Sequence, residues 1–155
     1  MRISLGFTLI ELLVVIVLIG LLVTGSIAGY TKFNQRQVLL TSGKEFITIL
    51  RTAQARAHSG VKPPSNCTTL LGYSVRASRN SSSYTMAAQC SNTSITANSY
   101  KLAAGVIFDT PVDITFDGLS GGVSGTIGDL SLSYSDKTYL LTINEVGSIT
   151  EGGIQ

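Results

Sequence analysis

The chain has 155 residues, 44 % hydrophobic and 13 % charged, which fits one modest domain and an N-terminal segment. With no Trp, one His and two Cys, it offers little material for a catalytic or metal site. Residues 1–79 hold nine basic and two acidic residues, whereas residues 80–155 hold two basic and seven acidic residues. This uneven distribution favours head-to-tail packing with copies or relatives, or it reflects chance clustering on a solvated surface.

The first predicted element is an apolar helix that follows a six-residue leader, residues 1–6. Residues 7–28 are apolar apart from Thr8, Glu11, Thr24 and Ser26. Twenty-two helical residues rise about 33 Å, enough to cross a bilayer, so the segment spans a membrane, is a cleaved signal, or is buried among similar helices. A carboxylate inside a spanning helix costs roughly 2.5–3.5 kcal/mol, so Glu11 needs a partner.

An amphipathic helix is predicted next, over residues 30–60, without a break from the apolar helix. One stripe of it recurs at steps of three and four residues: Leu39, Gly43, Phe46, Leu50, Ala53 and Ala57. This stripe is expected to lie on a globular head. Gly60 and the pair Pro63–Pro64 end the helix.

The remainder, residues 61–155, reads as a head of five to seven short antiparallel strands. The candidates are residues 68–75, 83–89, 98–105, 112–116, 126–134 and 138–149. The clearest alternations are Val112/Ile114/Phe116 and Leu130/Leu132/Tyr134, and turns are expected at Asp117–Gly118, in residues 120–125 and in the Ser-rich loop of residues 78–85. A long helix on such a sheet predicts an α+β fold.

The opening stretch "GFTLIELLVVIVLIGLLV", residues 6–23, closely resembles the N-terminal signature of type IV pilins and pseudopilins. The resemblance implies that a prepilin peptidase cuts after Gly6 and methylates the new N-terminal Phe7. It also implies a helix, residues 7–29, that anchors the subunit in the inner membrane with the head outside the cytoplasm. There the subunit meets an assembly platform, and the helix later packs with other subunits in a fibre core.

The resemblance also supplies a partner for Glu11. Cleavage creates an α-ammonium at Phe7, and the same charge on a neighbouring subunit can be reached in the fibre core. Two opposite charges attract strongly in a poor dielectric, where each alone would be costly. Glu11 is therefore expected to set the register of assembly. The alternative is a glutamate that reaches out to the membrane interface near the helix end.

A further resemblance concerns the rest of the chain. "LRTAQARAHSG" (residues 50–60), "ITFDGLSGGVSG" and "YLLTINEVGSIT" look like the H-type minor pseudopilins of type II secretion and their FimT-like relatives. One departure is Ala28, where many pilins carry a proline. The resemblance implies a minor subunit that serves protein secretion or fibre assembly.

No enzymatic activity, cofactor or metal is predicted. His58 stands alone, and the glycines around residues 118–128 lack the spacing of a phosphate-binding loop. Cys67 and Cys90 are expected to form a disulfide if the protein is exported, and otherwise remain reduced thiols.

Two other functions remain open from the sequence. Lys62, Arg76 and Arg79, near the Ser-rich loop, could contact the phosphates of DNA. Alternatively, "SIAG" (residues 26–29) could be a conventional signal cleavage site, with a secreted β-rich domain starting at Gly29.

Overall fold

A computed structural model describes residues 8–64, 67–118 and 121–155, with the backbone alone for residues 23–28, 94, 96 and 97. One α-helix, α1, spans Leu9–His58. The chain divides into a first unit that ends at Gln35 and a second unit, Arg36–Gln155. We describe the two units separately.

The second unit combines the last part of α1 with nine strands in the described residues. They are β1 (Leu70–Ala77), β2 (Ser83–Cys90), β3 (Ser94–Lys101), β4 (Ile107–Phe108), β5 (Val112–Asp117), β6 (Val123–Gly125), β7 (Gly128–Tyr134), β8 (Lys137–Ile143) and β9 (Ile149–Ile154). A five-stranded sheet has the order β3-β2-β1-β5-β6, and a four-stranded sheet has the order β4-β7-β8-β9. All pairings are antiparallel, so the predicted α+β class is confirmed.

The predicted helix stripe forms the side of α1 that packs on the sheets. All its members are buried: Leu39, Gly43, Phe46, Leu50, Ala53 and Ala57. The Phe46 ring makes edge-to-face contacts with Tyr84 of β2 and Phe108 of β4, with centroids 5.2 and 5.0 Å apart. A Cβ added at Gly43 would lie 2.5 Å from the ring of Tyr139 on β8. The helix therefore contacts both sheets. Because Gly43 has no side chain, the helix backbone can lie close to the Tyr139 ring at this position.

The strand alternations are also confirmed where the pattern was clearest. Val112, Ile114 and Phe116 are buried, and so are Leu130 and Leu132 of β7. Tyr134 is only partly buried and lies over Gly105. Alternate residues of a strand point to opposite faces, so these strands turn one face to the core.

Several strand predictions were wrong in number or extent. The structure has two sheets and nine strands where one sheet of five to seven was expected. Residues 138–149 form no single strand, because a turn at Asn144–Gly147, with Gly147 at φ +78°, separates β8 from β9. The predicted turn in residues 120–125 contains the short strand β6, and the predicted strand 98–105 begins earlier, at Ser94, and ends at Lys101.

Candidate assembly site

The described start of α1 has the pattern of a capping box, Thr8-Leu9-Ile10-Glu11. The backbone N–H of Glu11 donates to Thr8 Oγ1 at 3.3 Å, and that of Leu12 donates to Thr8 O at 3.2 Å. The Thr8 hydroxyl thus satisfies one N–H group that a helix start leaves open, the Thr8 carbonyl accepts the first regular helix bond, and a carboxylate in the first turn is favoured by the helix dipole. The cap was not predicted, although the Thr-x-x-Glu spacing of Thr8 and Glu11 is a sequence signal for it.

The helix that follows exposes apolar side chains all around its axis. Every large apolar residue from Leu9 to Leu22 is exposed, between 43 % for Val15 and 83 % for Leu9. A helix that is apolar all round is normally buried in a core or in lipid. Residues 9–22 therefore present an apolar surface that the described residues of this chain leave exposed.

Among the described residues, α1 contains no stretch that meets the length and hydropathy expected of a membrane-crossing helix. The span predicted over residues 7–29 stays a prediction. The predicted cleavage and methylation residues, Gly6 and Phe7, lie outside the described residues.

The predicted disulfide is present in the second unit. Cys67 and Cys90 are bonded, with Cα atoms 5.5 Å apart, and link the segment before β1 to the end of β2. Backbone bonds flank the bridge, since the Ser91 N–H donates to Thr69 O at 3.0 Å. The bridge closes the β1–β2 hairpin at the end away from the Ser-rich loop, whose residues 78–82 connect the two strands.

The three bases predicted to contact DNA do not form one cluster. Arg76 and Arg79 line the same groove, of about 770 Å³, with the hydroxyls of Ser78, Ser81 and Ser83. Lys62 lines a separate groove beside Cys67 and donates to Thr68 O at 2.9 Å. Thr68 precedes β1 and Arg76 is near its end, so roughly 20 Å of strand separates them.

Arg76 already has a partner of opposite charge. Its Nε lies 2.9 Å from Asp113 Oδ1 on the neighbouring strand β5, where Arg76 and Asp113 are directly opposite. Both side chains are more than half exposed. Cross-strand pairs of this kind stabilise a sheet modestly, and the carboxylate reduces the positive charge that a phosphate would meet.

A third groove, of about 460 Å³, lies between α1 and the edge strand β3. Lys44 and Glu45 of the helix, Tyr84 of β2, and Tyr100 and Lys101 of β3 line it. The rings of Tyr84 and Tyr100 stack with centroids 5.4 Å apart. Burial, and secondarily the negative charge of Glu45, raise the pKa of Tyr84 to about 12, so its hydroxyl stays protonated at neutral pH.

His58 is exposed at the end of α1, with its ring close to Gly121. Within the described parts of the chain, no three His, Cys, Asp or Glu side chains are grouped so as to hold a metal ion.

Comparison with known proteins gives one finding, and it concerns the N-terminus. The family model described as "Prokaryotic N-terminal methylation motif" matches residues 1–27. No curated protein and no solved structure gives a significant match.

The match supports the resemblance to type IV pilins and pseudopilins, because residues 1–27 carry the prepilin-type methylation motif. Proteins of this family are structural subunits, and the signature implies attachment to a membrane. The match covers the first 27 residues, so the H-type subfamily remains a prediction from the sequence of the head.

Proposed function

We propose that the protein is a minor pilin or pseudopilin subunit. A prepilin peptidase cleaves it after Gly6 and methylates Phe7, and residues 7–29 hold it in the inner membrane with the head outside the cytoplasm. An assembly platform then adds it to a type II secretion pseudopilus or a type IV pilus. The work of such a subunit is mechanical, with no bond chemistry after processing.

The observation that supports this proposal most strongly is the exposed apolar surface of residues 9–22 around one carboxylate. Glu11 is exposed and its backbone N–H is bonded to Thr8, while the large apolar neighbours of Glu11 are all accessible. Packing such helices together buries the apolar side chains and takes Glu11 out of water. Because an isolated buried charge is costly, assembly is favourable only where a cation meets the carboxylate.

The α-ammonium of a processed neighbouring subunit is the cation we assign to Glu11. In its own chain, Phe7 is four residues before Glu11. In a fibre, a neighbour displaced along the axis brings an equivalent ammonium to the same carboxylate. The pair then selects one axial register among many that apolar packing alone would allow.

Exchange of Glu11 for glutamine tests the proposal. We expect Glu11→Gln to be processed normally and to lower the yield of sheared or sedimented fibres at least about tenfold, a loss of about 1.4 kcal/mol per added subunit. Glu45→Gln is the matched control, because Glu45 is an exposed carboxylate of the same helix in the second unit. Fibres of Glu11→Gln at undiminished yield would contradict the proposal.

Mass spectrometry of the mature protein separates this proposal from conventional secretion. A chain that begins with N-methylated Phe7 supports the prepilin route. A chain that begins at Gly29 supports a secreted β-rich domain released by a signal peptidase, and leaves Glu11 without a function in the mature protein.

A second candidate function is DNA binding for uptake, through Arg76 and Arg79. Their shared groove and its hydroxyls favour it, whereas the Arg76–Asp113 pair and the distant Lys62 weaken it. We expect Arg76→Ala with Arg79→Ala to lower the affinity for DNA and to reduce the salt dependence by about two phosphate contacts. Arg51→Ala with Arg56→Ala is the matched control, and equal binding by both double variants would remove this candidate.

A further inference from the structure

The turn between β8 and β9 is held firmly and presents two side chains to solvent. The Gly147 N–H donates to Asn144 O at 2.9 Å, and the Ser148 N–H donates to Asn144 Oδ1 at 2.8 Å. Gln54 of α1 donates to Gly147 O at 3.0 Å, which ties the turn to the helix. Between these fixed points lie Glu145 and Val146, both exposed.

Val146 is unusually accessible for an apolar side chain on so ordered a turn. It is 76 % exposed, the highest value among the large hydrophobic residues described in the second unit. Its neighbour Glu145 is exposed too, and its carbonyl accepts from the Val123 N–H at 3.3 Å, so its backbone is also held. The turn is a rigid projection with an apolar tip beside a carboxylate.

Another surface of α1 carries a shallow groove of about 430 Å³. Its lining comprises Thr48, Arg51, Thr52, Ala55, Arg56, Ser59 and Val61. The hydroxyls of Thr48, Thr52 and Ser59 donate to carbonyls four residues earlier in the helix, at 2.7–2.8 Å. Because these hydroxyls are satisfied within the helix, the groove presents mainly methyl and methylene groups, with the two arginines beside them.

The groove and the turn carry opposite charges, and within the residues that the structure describes no ion pair involves either of them. Residues 36–58 hold four Lys or Arg and one Glu, and residues 128–155 hold four acids and one Lys. The ion pair found in the described part of the chain joins Arg76 to Asp113, and involves neither Arg51, Arg56 nor Glu145. Complementary patches of this kind favour oriented association.

We propose that the β8–β9 turn of one copy docks in the α1 groove of the next copy, with Val146 against Ala55 and Glu145 beside Arg51 or Arg56. The inference rests on the proposed function in one respect, that copies of this chain adjoin in a fibre. Turn and groove are different surfaces, so the contact is heterologous, and repeated heterologous contacts build a helical array when they do not close into a ring.

Cysteine cross-linking between two differently tagged forms of the full-length protein tests the contact in membranes and in sheared fibres. One form carries Ala55→Cys and the other Val146→Cys, and the native cysteines are already bonded to each other. We expect a disulfide between the two forms under mild oxidation and little between like forms. Asp136→Cys, on the exposed β7–β8 turn, replaces Val146→Cys as the control and should give little product.

Charge exchange adds a second criterion. Glu145→Arg or Arg51→Glu alone should lower the 55–146 product about tenfold at low salt, and the two reversals in complementary copies should restore most of it. Asp136→Arg and Arg79→Glu make the same charge changes elsewhere and should leave the yield unchanged. The yield of the 55–146 disulfide between copies without charge reversals should also fall as the salt concentration rises.

The outcomes separate the two proposals. Processed chains that enter fibres without the 55–146 disulfide, or reversals that do not rescue each other, would overturn this contact and leave the proposed function intact. Chains that are neither cleaved at Gly6 nor recovered in fibres, and that give no product, would overturn both.

Discussion

Two segments of one helix differ in the burial of their apolar side chains: residues 39–57 bury one apolar stripe, and residues 9–22 expose theirs. In the later segment the apolar residues follow a spacing of three and four, and the sheets of the same chain cover them. In the earlier segment they occur at nearly every position, and all of them are exposed. The folding free energy of the second unit therefore depends on residues 39–57, whereas residues 9–22 contribute to assembly under the proposed function.

The largest expected effect on stability is at Phe46. Its ring is fully buried between Tyr84 and Phe108, so Phe46→Ala should lower the free energy of unfolding by about 3–5 kcal/mol. Ile16→Ala removes an apolar side chain of the earlier segment. Because Ile16 is 60 % exposed, this substitution should change the free energy of unfolding by less than about 0.5 kcal/mol. Denaturant unfolding of the full chain in detergent, followed by tyrosine near-UV circular dichroism, measures both.

If Ile16→Ala lowered the unfolding free energy as much as Phe46→Ala, residues 9–22 would contribute to the stability of the second unit. That result would contradict the contrast between the two helix segments. Fibre yield provides the reverse test. There, Ile16→Ala should have the larger effect among variants that still fold, since the proposed assembly buries that residue.

The disulfide is expected to have the next largest effect. Its cysteines are 23 residues apart, and closing a loop of this size stabilises a protein by about 3 kcal/mol in the chain-entropy model. Cys67→Ser with Cys90→Ser should lower the unfolding free energy by about that amount and leave prepilin cleavage unchanged. Titration with urea, with and without a reducing agent, measures the loss, and reduction should have no further effect on the double variant.

Much of this fold was predictable because its patterns are local. The stripe from Leu39 to Ala57 and the alternation of Val112, Ile114 and Phe116 each lie within one element, and each is buried as expected. The division into two sheets was not predictable in this way. It depends on which strands pair, as when β1 lies between β2 and the distant β5, and no short pattern encodes such pairing.

Gly43→Ala should have a smaller effect on the unfolding free energy. It should lower that free energy, although helix propensity alone would raise it. Alanine favours a helix by about 1 kcal/mol over glycine, but the added Cβ would lie 2.5 Å from the Tyr139 ring. We expect the overlap to prevail, with a net loss of about 1–3 kcal/mol. Gly20→Ala meets nothing within 4 Å in this chain, so it should cause no loss of stability.

For the candidate site, the sequence indicated single residues better than groups. The N-terminal signature is contiguous, and both cysteines were identified as a pair. Lys62, Arg76 and Arg79 fall within residues 62–79 of the sequence, yet the direction of β1 places Lys62 and Arg76 near opposite ends of a strand. The Arg76–Asp113 pair was not foreseen either, because it depends on the register between β1 and β5.

Alkaline pH should destabilise the second unit through Tyr84. Its pKa is raised in the folded state to about 12 from an unfolded value of 10.0, so folding favours the protonated hydroxyl. This contribution is complete below pH 10 and is lost as the pH rises from 10 to 12. At about 1.36 kcal/mol for each pKa unit, the full shift of Tyr84 would give a larger loss of stability than we expect. Because Tyr84 also lines an open groove, where solvent weakens the effect, we expect a loss of about 1–2 kcal/mol. Tyr84→Phe should lose less stability over that interval in parallel urea titrations.

The smallest expected effect is a gain in stability, at the ring against which Gly43 packs. The Tyr139 side chain is fully buried, and its hydroxyl makes no hydrogen bond within the described residues. An unsatisfied buried hydroxyl is unfavourable, so Tyr139→Phe should raise the unfolding free energy at pH 7 by about 1 kcal/mol. A loss would mean that the hydroxyl has a partner in solution. Glu151 is the candidate partner. Burial is the main cause of the raised pKa of Tyr139, and the negative charge of Glu151 is the next cause. Glu151→Gln distinguishes the cases, because it should change the effect of Tyr139→Phe only if the two side chains are bonded.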